Sequence, residues 1–114
     1  MPMIQSEVTK VGMRLRVCAL DEIIDDELVS FEVLGVTIPI LVTRVEGEII
    51  AGSSMCPHED VSLTSGRIDG SEIVCKAHGY AFDVKTGECS HDSSLRWRTY
   101  RTVIIGSELF VDLI

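Results

Sequence analysis

The chain reads MCPH at residues 55–58 and, after sixteen intervening residues, CKAH at residues 75–78. Each segment contains one cysteine and one histidine, spaced Cys-x-His in the first and Cys-x2-His in the second. Thiolate sulfur and imidazole nitrogen together suit iron–sulfur clusters, zinc and copper. These two segments therefore predict a metal centre, and its candidate ligands are Cys56, His58, Cys75 and His78.

The spacing of the four candidate ligands distinguishes a zinc site from an iron–sulfur cluster. Structural zinc sites with two cysteines and two histidines usually place Cys-x2–4-Cys before His-x3–5-His, and neither segment has that form. In a Rieske centre, two cysteines hold one iron of a 2Fe–2S cluster and two histidines hold the other. The four candidate ligands resemble the Rieske motif position for position, and residues 77–83 with Thr86-Gly87 are similar to its bacterial members.

The resemblance implies one Rieske-type 2Fe–2S cluster held by Cys56, His58, Cys75 and His78. Each loop would supply one ligand to each iron. The replacement of two thiolates by imidazoles raises the potential above that of all-cysteine clusters. A structural zinc module stays open as the alternative until iron and sulfide are measured.

The rest of the chain predicts an all-β fold. Short alternating or β-branched runs, separated by turn residues, give about nine or ten strands and no convincing helix. Asp69-Gly70 predicts a hairpin between the two ligand segments. Arg14, Arg16 and Cys18 are expected on one face of the first strand. The resemblance covers residues 14–114 and implies the Rieske fold, with small stacked antiparallel sheets and a cluster-binding subdomain of two loops at one tip. Residues 1–13 are expected to be an N-terminal arm or edge segment.

Composition limits the functions that are open to the chain. Its 114 residues correspond to one domain, and its net charge of −8 argues against nucleic acid as a partner. No run of eighteen or more apolar residues and no basic, apolar leader is present, so we expect no membrane association. We therefore expect a cytoplasmic monomer, whose acidic charge either suits docking on basic patches of its partners or serves solubility alone.

A one-electron carrier is the function that the resemblance implies. The chain is similar to the Rieske ferredoxins of bacterial multicomponent, ring-hydroxylating oxygenases. In these systems an NAD(P)H-dependent flavin reductase supplies electrons and a terminal oxygenase receives them, often in the degradation of aromatic compounds. The alternatives are a Rieske subunit of a diiron monooxygenase or of a nitrite-reductase-like complex. We do not expect an enzyme, because a mononuclear oxygenase iron needs two further histidines and only His91 is left.

Four departures from the high-potential Rieske proteins predict a low potential. Those proteins carry an extra cysteine in each ligand loop, where this chain has Val61 and Ala77. They also carry a serine and a tyrosine whose hydroxyls donate to cluster sulfur, where this chain has Tyr80 and Phe82. Fewer hydrogen bonds to the reduced cluster make it a stronger electron donor.

The remaining candidates have no predicted role in the chemistry. We expect Cys18 to be a packing residue or an outward thiol, Trp97 to be a packing residue, and His91 to be an exposed loop residue. Cys89 falls in a loop that could lie near the cluster, with nothing that marks it as a ligand.

Overall fold

The computed structural model describes residues 13–58, 60–77 and 79–113. These residues form nine β-strands and two single turns of 3-10 helix, at Leu20–Glu22 and Leu63–Ser65, and no α-helix occurs among them. The strands are β1 Arg14–Ala19, β2 Val29–Phe31, β3 Ile40–Val45, β4 Glu48–Ser53, β5 Arg67–Asp69, β6 Glu72–Val74, β7 Ala81–Asp83, β8 Thr99–Ile105 and β9 Glu108–Asp112. The predicted all-β class is confirmed.

The strands build two antiparallel sheets of unequal size. The larger sheet has six strands in the order β1-β9-β8-β4-β3-β2, and the smaller has three in the order β5-β6-β7. The chain leaves the larger sheet after β4, forms the smaller sheet, and returns as β8 beside β4. Both candidate ligand segments fall in this excursion, one after β4 and one between β6 and β7.

Residues with positive φ close the tight hairpins. Asp69 is the last residue of β5 and pairs with Glu72, so the predicted Asp69-Gly70 hairpin is present, with Gly70, at φ +62°, as the first of its two turn residues. Glu46 and Gly47, at φ 52° and 80°, connect β3 and β4. Positive φ at both central residues of this second turn is the geometry of a tight hairpin whose twist matches its strands. The stretch between the ligand segments therefore contains one short hairpin, formed by β5 and β6.

One strand departs from the predicted alternation. The pairing of β1 with β9 shifts between Arg16 and Cys18, which is a β-bulge that inserts Val17. Because a bulge moves the following residues to the other face, Cys18 does not share a face with Arg14 and Arg16. It is buried instead, while both arginines are exposed and pair with Asp112 and Glu108.

Buried side chains form two clusters. One cluster packs on the larger sheet and contains Cys18, Ile40, Val42 and Leu109 among others. The other lies beneath the excursion and contains Leu41, Leu63, Phe82 and Trp97, together with both candidate cysteine ligands. We call this second cluster the site core, and its members are Leu41, Val45, Ile50, Cys56, Leu63, Ile73, Cys75, Phe82, Val84, Cys89 and Trp97.

Two predicted features lie outside the described residues. These are the ligand His78 and the N-terminal arm, apart from its last residue, Met13. In the part of the chain that is described, no helix has the length and apolar character needed to cross a membrane.

Candidate metal centre

The first ligand loop is closed by backbone hydrogen bonds on both sides of Cys56. The Cys56 amide donates to the Val61 carbonyl at 2.9 Å, and the Leu63 amide donates to the Ser54 carbonyl at 2.6 Å. Met55 and Ser62 form an antiparallel bridge at the same level. The loop therefore leaves and re-enters the site core within a few residues, and it holds His58 beyond the point of closure.

The second ligand loop is the turn of the β6–β7 hairpin. Val74 pairs with Ala81, and the Cys75 amide donates to the Tyr80 carbonyl at 2.7 Å. Gly79 has a φ of +68°, a conformation that side chains with a Cβ rarely adopt. A β-hairpin thus brings Cys75 to the site core, while Lys76 and Gly79 on the same loop are exposed.

The structure brings the two cysteines together in one core. Cys56 is 2% exposed and Cys75 is fully buried, and both belong to the site core. His58 is partly exposed. Three of the four predicted ligands therefore lie on two loops at one end of the smaller sheet, and the fourth, His78, is outside the described residues.

The sulfur of Cys56 already accepts a backbone hydrogen bond. The His58 amide donates to Cys56 Sγ at 3.4 Å. Amide hydrogen bonds to a ligating sulfur stabilise the thiolate form and fix its orientation. Buried sulfur on rigid loops, with an amide donor in place, fits the thiolate ligands of an iron–sulfur cluster.

A stack of three rings, which sequence analysis did not predict, lies beside the first loop. The rings of His58 and Tyr80 have centroids 3.9 Å apart and an interplanar angle of 27°. The rings of Tyr80 and His91 follow at 5.4 Å and 19°. The sequence analysis treats Tyr80 as the replacement for a hydroxyl donor of the high-potential proteins and His91 as an exposed loop residue. The sequence hints at this stack only in that His58, Tyr80 and His91 fall in or shortly after the two ligand loops.

His91 reaches the stack because its segment pairs with β7. Cys89 bridges to Phe82, and the Ser90 amide donates to the Ala81 carbonyl at 3.0 Å. Nδ1 of His91 accepts from the Ala81 amide at 3.4 Å and lies 3.2 Å from Ser90 Oγ. The loop that contains Cys89 and His91 is thus tied to the smaller sheet, although His91 is exposed as expected.

The predicted packing residues behave as expected. Trp97 is almost fully buried, and its Nε1 donates to the Ser53 carbonyl at 2.7 Å. Burial, aided by the charge of Glu22, raises the pKa of the Cys18 thiol to about 11. Cys89 is buried in the site core.

One carboxylate near the first loop stays ionised. The Ser94 hydroxyl and amide both donate to Asp92 and lower the pKa of this carboxyl, which also lies within electrostatic range of His58. Asp60, in the first loop, is exposed. The surface beside His58 is therefore acidic, as the net charge of the chain suggests.

Comparisons with known proteins agree with this geometry. Residues 13–101 match the family model described as Rieske [2Fe-2S] domain. The ferredoxin component of the naphthalene 1,2-dioxygenase system of Pseudomonas aeruginosa is 35% identical over 92 residues, which are 76% of this chain and 88% of that protein.

Two solved structures share the fold. The ferredoxin of Sphingomonas yanoikuyae B1 superposes with a TM-score of 0.81 at 28% identity, over 90% of this chain and 100% of that one. A chain from the complex of reduced oxygenase and oxidized ferredoxin in carbazole 1,9a-dioxygenase gives 0.77 at 28% identity, over 89% of this chain and 94% of that one.

An all-β domain that gathers buried thiols and imidazole on two hairpin loops is the setting of an iron–sulfur centre. The chain belongs to the Rieske 2Fe–2S family. The predicted family, fold and cofactor are confirmed: the chain takes one Rieske 2Fe–2S cluster, a group that accepts and returns one electron.

Proposed function

We propose that this chain is the one-electron carrier of an oxygenase system, with Cys56, His58, Cys75 and His78 as the ligands of its cluster. The observation that carries the proposal is that Cys56 and Cys75 enter one buried core from two separate loops. Each thiolate then lies in apolar surroundings, and the sequence places one histidine two or three residues after each cysteine. Residues 14–114 form the cluster-binding domain.

The difference in solvent exposure between the cysteine and histidine ligands supports an electron carrier rather than a catalyst. The two sulfurs are buried, whereas His58 is partly exposed at the end of the smaller sheet. A partner that docks at this end approaches the histidine side of the centre first. The chain's own residues thus shield the thiolate side from water and leave the other side open for electron exchange.

The partners follow from the relatives. The similar Pseudomonas protein is a ferredoxin component of a dioxygenase system, and the carbazole structure holds an oxygenase with its ferredoxin. We infer a terminal oxygenase as the electron acceptor, an NAD(P)H-dependent flavin reductase as the donor, and aromatic compounds as the substrates of the system. We place the carrier in the cytoplasm as a soluble monomer, where pyridine nucleotide is available.

Metal and sulfide analysis tests the cluster assignment. The purified chain should contain two irons and two acid-labile sulfides, and after reduction it should show a Rieske-type EPR signal. Titration with dithionite should consume one electron per chain. One tightly bound zinc without sulfide would contradict the proposal.

Paired cysteine variants test the ligand assignment. Cys75→Ser should abolish the visible spectrum of the cluster. Cys18→Ser is the matched control, because Cys18 is equally buried but belongs to the other core cluster. A Cys75→Ser protein with full cluster content would refute the assignment of this ligand.

A further inference from the structure

Tyr80 joins the two ligand loops by two different parts of the same residue. Its carbonyl accepts the Cys75 amide at 2.7 Å, so its backbone is part of the second loop. Its ring stacks on the imidazole of His58, which belongs to the first loop. A change in the position of one loop is therefore transmitted to the ligand of the other.

The ring of Tyr80 has a second stacking partner. His91 stacks on it with an interplanar angle of only 19°. The Ala81 amide, which belongs to the residue that follows Tyr80, donates to His91 Nδ1 at 3.4 Å. Because that amide can only donate, Nδ1 must carry the lone pair and the neutral ring must hold its proton on Nε2. This hydrogen bond fixes the orientation of His91 against Tyr80.

We propose that Tyr80 is a positioning residue for the cluster ligand His58, and that His91, the second ring stacked on Tyr80, holds Tyr80 in place. An imidazole bound to a metal through one nitrogen can still rotate about that bond. An aromatic ring in face contact restricts the rotation, since a twisted imidazole would lose the contact or collide with it. The proposal rests on the assignment of His58 as a ligand made above.

The orientation of a ligand imidazole is visible to spectroscopy. It sets the coupling of the ring nitrogen to the unpaired electron of the reduced centre. A residue that only stabilised the fold would change the yield of loaded protein and leave this coupling unaltered. Tyr80→Leu removes the ring, whereas Tyr80→Phe retains the ring and removes only the hydroxyl.

The experiment compares three variants with the wild-type holoprotein by pulsed EPR of the histidine nitrogens and by the rate of cluster loss. Tyr80→Leu should alter the nitrogen couplings and speed cluster loss roughly two- to twelvefold, which corresponds to the strength of one stacked ring pair. Tyr80→Phe should behave as the wild type. Tyr100→Leu is the matched control, because it makes the same change in the larger sheet, away from the ligand loops.

A fourth variant, His91→Ala, tests the outer support. It should shift the nitrogen couplings in the same direction as Tyr80→Leu and by less, and His91→Phe should restore them. Unchanged couplings in Tyr80→Leu, or equal losses in Tyr80→Leu and Tyr80→Phe, would overturn the proposal. A wild-type protein without a Rieske signal would instead overturn the cluster assignment, so the two failures are distinguishable.

Discussion

Gly52, in β4, has no room for a side chain. A Cβ at this position would lie 2.6 Å from the Arg98 carbonyl oxygen and 2.7 Å from Cε2 of Trp97, and it would also collide with Cζ2 of that ring. Real Cβ atoms do not approach other heavy atoms so closely. Since Gly52 does not have a positive φ, an alanine here would suffer from crowding and not from backbone strain.

The neighbours of Gly52 cannot move aside easily. Trp97 is held at both ends, because its Nε1 donates to the Ser53 carbonyl and its backbone amide donates to the Gly87 carbonyl, each at 2.7 Å. The Arg98 oxygen accepts the Ser53 amide at 2.9 Å. Overpacking of a tight core costs about 1–3 kcal/mol. We therefore expect Gly52→Ala to lower the free energy of unfolding by about 2 kcal/mol, a large share of the roughly 5–15 kcal/mol typical of a domain.

Urea unfolding followed by far-UV circular dichroism measures this loss. With an m-value of about 2 kcal/mol per M, the midpoint should fall by about 1 M. The same substitution should cost less in a Trp97→Phe background, since phenylalanine lacks the indole atoms that the new Cβ meets. Gly70→Ala is the control: it adds backbone strain at φ +62° in open space, so its cost should be equal in both backgrounds. Equal costs of Gly52→Ala in the two backgrounds would refute the reasoning.

Three further predictions address the thiol, the potential and docking. Because burial raises the pKa of Cys18 to about 11, the stability contributed by its protonated thiol should be complete below about pH 9 and lost as the pH rises towards 11, and Cys18→Ala should flatten that part of a pH–stability curve. The wild-type potential should lie near −150 mV, the lower end of the Rieske range of roughly −150 to +300 mV. Phe82→Tyr should raise the potential if the new hydroxyl reaches a ligand sulfur, since a hydrogen bond to a charged group is worth about 1.5–3 kcal/mol. Redox titration checks both statements. Reduction by the reductase should slow as salt rises from ~10 to ~150 mM, less steeply in Asp60→Asn, and a rate insensitive to salt would favour apolar docking.

The fold was predictable because its signals are local. A period of two residues identifies a strand from a handful of side chains, and the Asp69-Gly70 pair in the sequence marks the turn between β5 and β6. The bulge in β1 was not predictable in this way. It exists because residues 14–19 pair with residues 108–112, about ninety positions further on, and its register is set by that partner. The predicted face of Cys18 was wrong for this reason, and of its two predicted roles, packing residue and outward thiol, its burial supports the first.

The metal ligands were predictable from the sequence, whereas the rings that stack beside them were not, again because one signal is local and the other is not. Cys56, His58 and Cys75 are recognisable because a metal centre demands particular donor atoms, whatever the fold around them. The stack of His58, Tyr80 and His91 involves no donor chemistry, so no spacing rule identifies it. It forms because two hairpin loops close at one end of the smaller sheet and because residues 88–90 return along β7. The chemistry of such a site can be predicted from residue types, but the orientation of its ligands follows from contacts between segments that only the folded chain brings together.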